Sequence, residues 1–282
     1  MERNVSSSLP PVSPPLPHVQ RWKRDVSAKS ALDWLAAGWR DFTAYPGQSL
    51  AYGVLVFLVS DVVVFGLFRF GADYILLPAL SGFMVVGPLL ALGLYEKSRR
   101  LEAGERPTFN SMIFVRPASG GQVLFTGALL SLLMLTWLRA AVIIYALFFG
   151  VRPFPGFQNI TQVLFTTEVG WMILIVGTFV GAIFAAFSFA ISAFSLPMLL
   201  DEQVDAFTAM GSSVALVWNN LGAALAWGAI VLALMLVSLA TGFLGLLILF
   251  PIVGHGAWHA YRAMSAPPVS VASAQDIGRS TV

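Results

Sequence analysis

His255 and His259 stand four residues apart in Pro251-Ile-Val-Gly-His255-Gly-Ala-Trp258-His259, so on a helix they share one face. Helical metal sites use that spacing. No acid lies between the two histidines, so the pattern is not that of a helical metalloprotease. A complete site needs a further ligand, and Glu96, Asp201, Glu202 and Asp205 are the candidates, because the topology derived below puts them on the same side. A divalent metal is one expectation. Haem is another, although two histidines of one helix cannot be opposite axial ligands. With three histidines in the whole chain, the ligand set of a catalytic oxidase core is absent. The plainer expectation is no cofactor at all, with His255, Trp258 and His259 forming an interfacial anchor bonded to loop carbonyls.

Asp61 and Arg139 both fall inside long apolar runs. A charge at the bilayer centre costs about 2.5–3.5 kcal/mol on insertion scales, so each should pair, face the protein interior or lose its charge. Counted from the start of each run, their depths differ by about 6 Å at 1.5 Å per residue, which is close enough for an intramembrane ion pair. Alternatively, Arg139 snorkels to the headgroups and Asp61 is neutral. Asp201-Glu202-x-x-Asp205 follows a Pro-containing segment. Its carboxylates suit the first turn of a following helix, where they complement the dipole. They could also meet the basic stretch Lys97–Arg106 or, as a third role, act as an acid–base pair.

The elements that must position these residues are membrane helices. Of 282 residues, 57% are hydrophobic and 11% charged, against roughly 25% charged in soluble domains. The bilayer must therefore solvate much of the chain. The expected organisation is a disordered tail over 1–27, a six-helix domain over 28–264 and a second tail over 265–282. The six spans are expected near 50–68, 74–95, 122–149, 169–195, 221–240 and 242–260. Thirteen Lys and Arg residues flank one side, in the N-terminal tail, the 97–116 stretch and the C-terminal end, while only Arg69 and Arg152 lie on the other. Both termini are thus expected in the cytoplasm. There is no cysteine, which excludes disulfides and thiol chemistry.

The pattern G-x-x-L-x-x-G opens three of the runs, at Gly47–Gly53, Gly121–Gly127 and Gly222–Gly228. Each is preceded by a short amphipathic stretch: Ser30–Tyr45, Thr108–Val115 and Val204–Trp218. Such stretches suit helices in the headgroup plane. The fold expected is all-α and polytopic: three hairpins, each entered through an amphipathic interfacial helix. Pro88-x4-Gly93-x-Tyr95 and Pro251-x4-Gly256-x-Trp258 mark the exits of the outer two hairpins, and the middle one has Ser195-Leu-Pro197 instead. The glycines are expected to set turns and close packing.

Three segments carry a family resemblance: Phe189-Ala-Ile-Ser-Ala-Phe-Ser-Leu-Pro-Met-Leu-Leu-Asp201, Leu92-Gly-Leu-Tyr95-Glu96-Lys-Ser-Arg99-Arg100, and the Pro251–Arg262 segment. Together they resemble a bacterial family of integral membrane proteins catalogued as domain of unknown function 2189, over roughly residues 25–264. The resemblance implies a six-helix protein of the bacterial inner membrane. Some members are labelled as subunits of cytochrome c oxidase, but no established activity comes with the family. The first functional expectation is a non-enzymatic accessory or scaffold protein, with membrane lipids and subunits of a respiratory or other membrane complex as partners. The second is a small-solute or ion transporter using Asp61; the third is a metal-binding membrane protein using His255 and His259. Nothing resembles a nucleic-acid module, a phosphate loop or a hydrolase triad.

Overall fold

The computed structural model describes residues 22–24, 26–150 and 155–265. The expected tails lie almost wholly outside them. The described residues are helical and contain no strand. In chain order the helices are α1 (Ser30–Ala44), α2 (Pro46–Arg69), α3 (Leu76–Leu90), α4 (Leu92–Glu102), α5 (Phe109–Ile113), α6 (Gly120–Phe149), α7 (Phe157–Thr166), α8 (Glu168–Ser192), α9 (Ser195–Asp201), α10 (Ala206–Asn219), α11 (Leu221–Ala240) and α12 (Leu249–Ser265). Five stretches are long and apolar enough to cross a membrane: Pro46–Arg69, Asp73–Glu102, Gly120–Phe149, Glu168–Asp201 and Leu221–Ala240.

The sixth expected stretch, 242–260, differs. Phe243 has a left-handed backbone, φ 67°, and a 3-10 turn follows over Leu244–Leu247. The remaining helix, α12, has 17 residues and starts only at Leu249. Ser238 and Thr241 explain the break: the Thr241 hydroxyl accepts from Gly245 N at 2.9 Å and holds the tight turn. Arg24 N donates to Asn220 Oδ1 at 2.8 Å, and Arg24 Nε donates to the Met264 carbonyl at 2.6 Å. Residues 24, 220 and 264 therefore lie at one end of the molecule, called here the polar end.

The two glycines of each repeat do different work. Gly47, Gly121 and Gly222 are each the second residue of their helix, and an added Cβ would meet nothing within 4 Å. The leucine of each pattern, Leu50, Leu124 and Leu225, is exposed. The second glycine is the contact: Gly53 lies against the Leu247 backbone, Gly127 against Leu89 and Gly228 against Phe189. The outer two repeats share a further feature. Tyr52 and Trp227 each stand five residues after the first glycine, and each packs on the exit glycine of its own unit, Gly93 and Gly256 respectively. The middle repeat has Thr126 at that position, buried and without a hydrogen-bond partner among the described residues.

α1 buries Ala31, Trp34, Ala37, Gly38 and Phe42 on one face, at helical spacing. That face rests on α12: an added Cβ at Gly38 would overlap the Ile252 carbonyl and lie 2.7 Å from Gly256 N. The Trp34 and Trp227 rings meet edge to face, 6.0 Å between centroids. The helix α7 has no counterpart among the expected elements, since it lies between the expected spans 122–149 and 169–195.

Candidate functional site

The side chains with chemical potential gather at the polar end, where α1, α2, α4 and α12 meet. His255 is fully buried. Its Nδ1 lies 3.1 Å from the Leu94 carbonyl, which can only accept, and 2.9 Å from Ser98 Oγ. Nδ1 therefore carries the proton, and Nε2 accepts from Ser49 Oγ at 2.9 Å. Ser49 Oγ in turn accepts from Lys97 Nζ at 2.7 Å, and the Tyr45 carbonyl accepts from the same ammonium at 2.9 Å. A directed chain thus runs from Lys97 through Ser49 and His255 to the Leu94 carbonyl. Beside this chain, Asp41 receives His259 Nε2 at 2.8 Å.

Ser49, Lys97 and His255 are 0% exposed and Ser98 is 1%. The local sequence explains this. Gly254 and Gly256 flank His255 and let α12 approach Leu94 and Trp34 closely. Burial opposes ionisation of Asp41, but His259 and Ser98 outweigh it and hold the carboxyl below its ordinary range. A depressed folded pKa gives stability that is present above the unfolded value of about 3.9 and lost as pH falls through the folded one. Between about pH 5 and pH 2, the parent protein should therefore lose stability relative to Asp41→Asn. Parallel thermal melts in detergent across that range check this, and a constant difference would refute it.

A second network covers the first. Glu96, 1% exposed, accepts from Arg99 Nη2 and from Arg100 Nε, each at 2.6 Å. Glu102 accepts from Trp258 Nε1 and Arg262 Nε, both at 3.1 Å. Tyr261 donates to Glu202 at 2.8 Å, and Arg262 Nη1 reaches Asp201 at 3.2 Å. Burial and the two carboxylates push the Tyr261 hydroxyl well above its ordinary pKa, so it stays a donor. Asp205 caps α10, accepting from Thr208 N at 2.9 Å.

The candidates predicted from sequence are therefore distributed as follows. Asp201 and Glu202 meet α12 rather than the basic 97–106 stretch. His255 and His259 share a helix but face different partners, and among the described residues no three of His, Cys, Asp and Glu gather within reach of one metal ion. Asp61 and Arg139 are both exposed and form no ion pair with each other among the described residues. The reason is topological: α2 leans on α12 and the 3-10 turn, and α2 and α6 are not a packed pair.

Residues 76–201 match the family described as predicted integral membrane proteins, domain of unknown function 2189. No curated protein and no solved structure gives a match. The DUF2189 match covers α3 to α9 and so includes Lys97, Ser98, Glu96 and Asp201. It is shorter than the 25–264 over which the sequence resembles the family. Asp41, Ser49, His255 and His259 come from the flanking helices, so the polar layer joins the DUF2189 segment to both of its neighbours.

Sequence reasoning passed over Ser49, Ser98, Asp41 and Lys97. Ser49 sits between the repeat glycine Gly47 and Leu50, and Lys97 reads as one charge of the basic 97–106 stretch. One signal was present: Lys97 and Ser98 directly follow the buried Tyr95-Glu96 pair, where a solvated loop would be expected.

Proposed function

We propose that this chain is a six-crossing inner-membrane protein that acts without catalysis, as an accessory or scaffold component of a membrane assembly. The observation that carries the reading is the sealed polar layer. Its histidine, lysine and serines are buried and bonded to one another across three helices, so they lock the helices together and offer no access to a substrate. The exposed apolar surface of α2, α6 and α8 suits contact with lipid and with other membrane subunits. The oxidase label carried by some members of the resembled family makes a respiratory complex the first assembly to test. Affinity purification in mild detergent, with mass spectrometry and metal analysis of one sample, is the experiment. Stoichiometric membrane subunits are expected; a solitary protein holding stoichiometric metal or haem would overturn the reading.

In this reading the 3-10 turn and α12 complete the sixth crossing, supported by the meeting of residues 24, 220 and 264. The chain has no cysteine, so single cysteines report topology cleanly. Ser27→Cys and Ser265→Cys should both be labelled only from the cytoplasmic side. Labelling from opposite sides would leave five crossings.

A further inference from the structure

A cavity of about 870 Å³ lies between α3, α6 and α8 on one side and α11 and α12 on the other. That volume falls within the roughly 300–1,000 Å³ of small-molecule sites. No charged residue lines it. At one end Phe189 of α8 rests on Gly228 of α11, at 3.7 Å from an added Cβ. Elsewhere α8 and α11 are not a packed pair. Thr178 of α8 and Leu232 of α11 line the cavity and are exposed, so it opens sideways between these two helices. Both helices are membrane-length, so the opening faces lipid.

Several polar groups of the lining are already bonded. The Ser188, Ser192 and Ser238 hydroxyls return to carbonyls of their own helices at 2.7, 2.7 and 2.9 Å. Trp137 Nε1 donates to the Pro78 carbonyl at 3.0 Å and Ser81 Oγ at 2.8 Å. Tyr95 lines the same cavity and is 2% exposed, yet its hydroxyl makes no hydrogen bond among the described residues. A tyrosine whose ring is buried ordinarily gives its hydroxyl a partner, so this one is a donor open to whatever fills the cavity.

We propose that the cavity binds an uncharged acyl lipid of the acylglycerol class, with its chain between α8 and α11 and an ester carbonyl accepting from the Tyr95 hydroxyl. Water fits this space poorly, because a buried water needs two to four polar partners and the lining is predominantly apolar and uncharged. A phosphate headgroup fits poorly too, since the lining holds no cation to receive it. An apolar space that opens onto a bilayer fills with hydrocarbon, and the spare donor selects a molecule with a neutral acceptor at its head.

The test uses full-length protein in detergent and two photoactivatable probes with identical chains: a diacylglycerol and a phosphatidylglycerol. The diacylglycerol should label peptides of α8, α11 or α12 saturably, and unlabelled diacylglycerol should compete. Tyr95→Phe should weaken that labelling about two- to tenfold, the worth of one hydrogen bond. Gly87 and Gly177 both line the cavity, and an added Cβ at either would meet nothing within 4 Å. Gly87→Leu or Gly177→Leu should therefore keep the melting temperature and abolish labelling. Equal labelling by both probes would mean ordinary contact with surrounding lipid and would overturn the proposal. So would labelling that survives in a folded Gly177→Leu protein. Should neither leucine variant fold, competition on the parent protein decides, because labelling that does not saturate overturns the site by itself. None of these readouts depends on which proteins co-purify, so the site and the accessory role can fail separately.

Discussion

Gly38→Ala is expected to destabilise the protein by about 3 kcal/mol, as much as a large core truncation, although it adds one methyl group to a helix. By propensity alone the change should help, since alanine is favoured over glycine in a helix by about 1 kcal/mol. Tertiary contact reverses the sign. The new Cβ would overlap the Ile252 carbonyl and lie 2.7 Å from Gly256 N. Both obstacles are backbone, and Ile252 and Gly256 belong to the helix that carries His255. Relief requires α1 and α12 to separate, which strains the Asp41–His259 contact at 2.8 Å. Gly47→Ala is the control. It too lies in a helix, but an added Cβ meets nothing within 4 Å, and the change should stay within about 1 kcal/mol of the parent. Thermal unfolding in detergent measures both. Equal midpoints for the two variants would show that α1 does not seat on α12 as described.

The same contrast explains what could be read from the sequence. The five apolar stretches were legible because a run of some twenty apolar residues has few alternatives. The repeat was legible as a pattern, and the structure adds that its two glycines are not equivalent, one open and one packed. No sequence pattern distinguishes these, because the difference lies in what the other helix brings. Tyr52 and Trp227 could have been found, since they hold one register in two repeats. For Asp61 and Arg139 a depth argument gives the position along each helix and says nothing about which helices are neighbours. The end of the chain was the hardest to read: apolarity continues through Thr241 to Phe250, while a left-handed Phe243 and a 3-10 turn depend on local bonds to Ser238 and Thr241. The polar layer was invisible for a related reason. Its bonded members lie up to 218 residues apart, and singly each is an ordinary membrane-helix serine, a flanking lysine or aspartate, or a lone histidine.

His255→Ala is expected to cost about 3–5 kcal/mol, from an unfilled cavity together with stranded polar groups. Ser49 would lose its acceptor, Ser98 one partner and the Leu94 carbonyl its side-chain donor, all in a layer closed to water. Lys97→Met should behave differently. It keeps the buried stem and removes an ammonium held at bonding distance only by neutral oxygens, those of Ser49 and Tyr45. Removing a charge that gains no bonded counter-ion relieves desolvation, so the loss of two hydrogen bonds is largely offset and the net change should stay within about 1 kcal/mol. The two changes should not add. Once His255 is gone, Ser49 is free to turn its proton elsewhere while still accepting from Lys97, so the hydroxyl that the lysine meets is oriented differently. A coupling of about 0.5–3 kcal/mol in the double-mutant cycle is expected of residues that share one hydroxyl. Strict additivity would mean that Ser49 does not transmit between them, and the polar layer would then be two separate contacts rather than one chain.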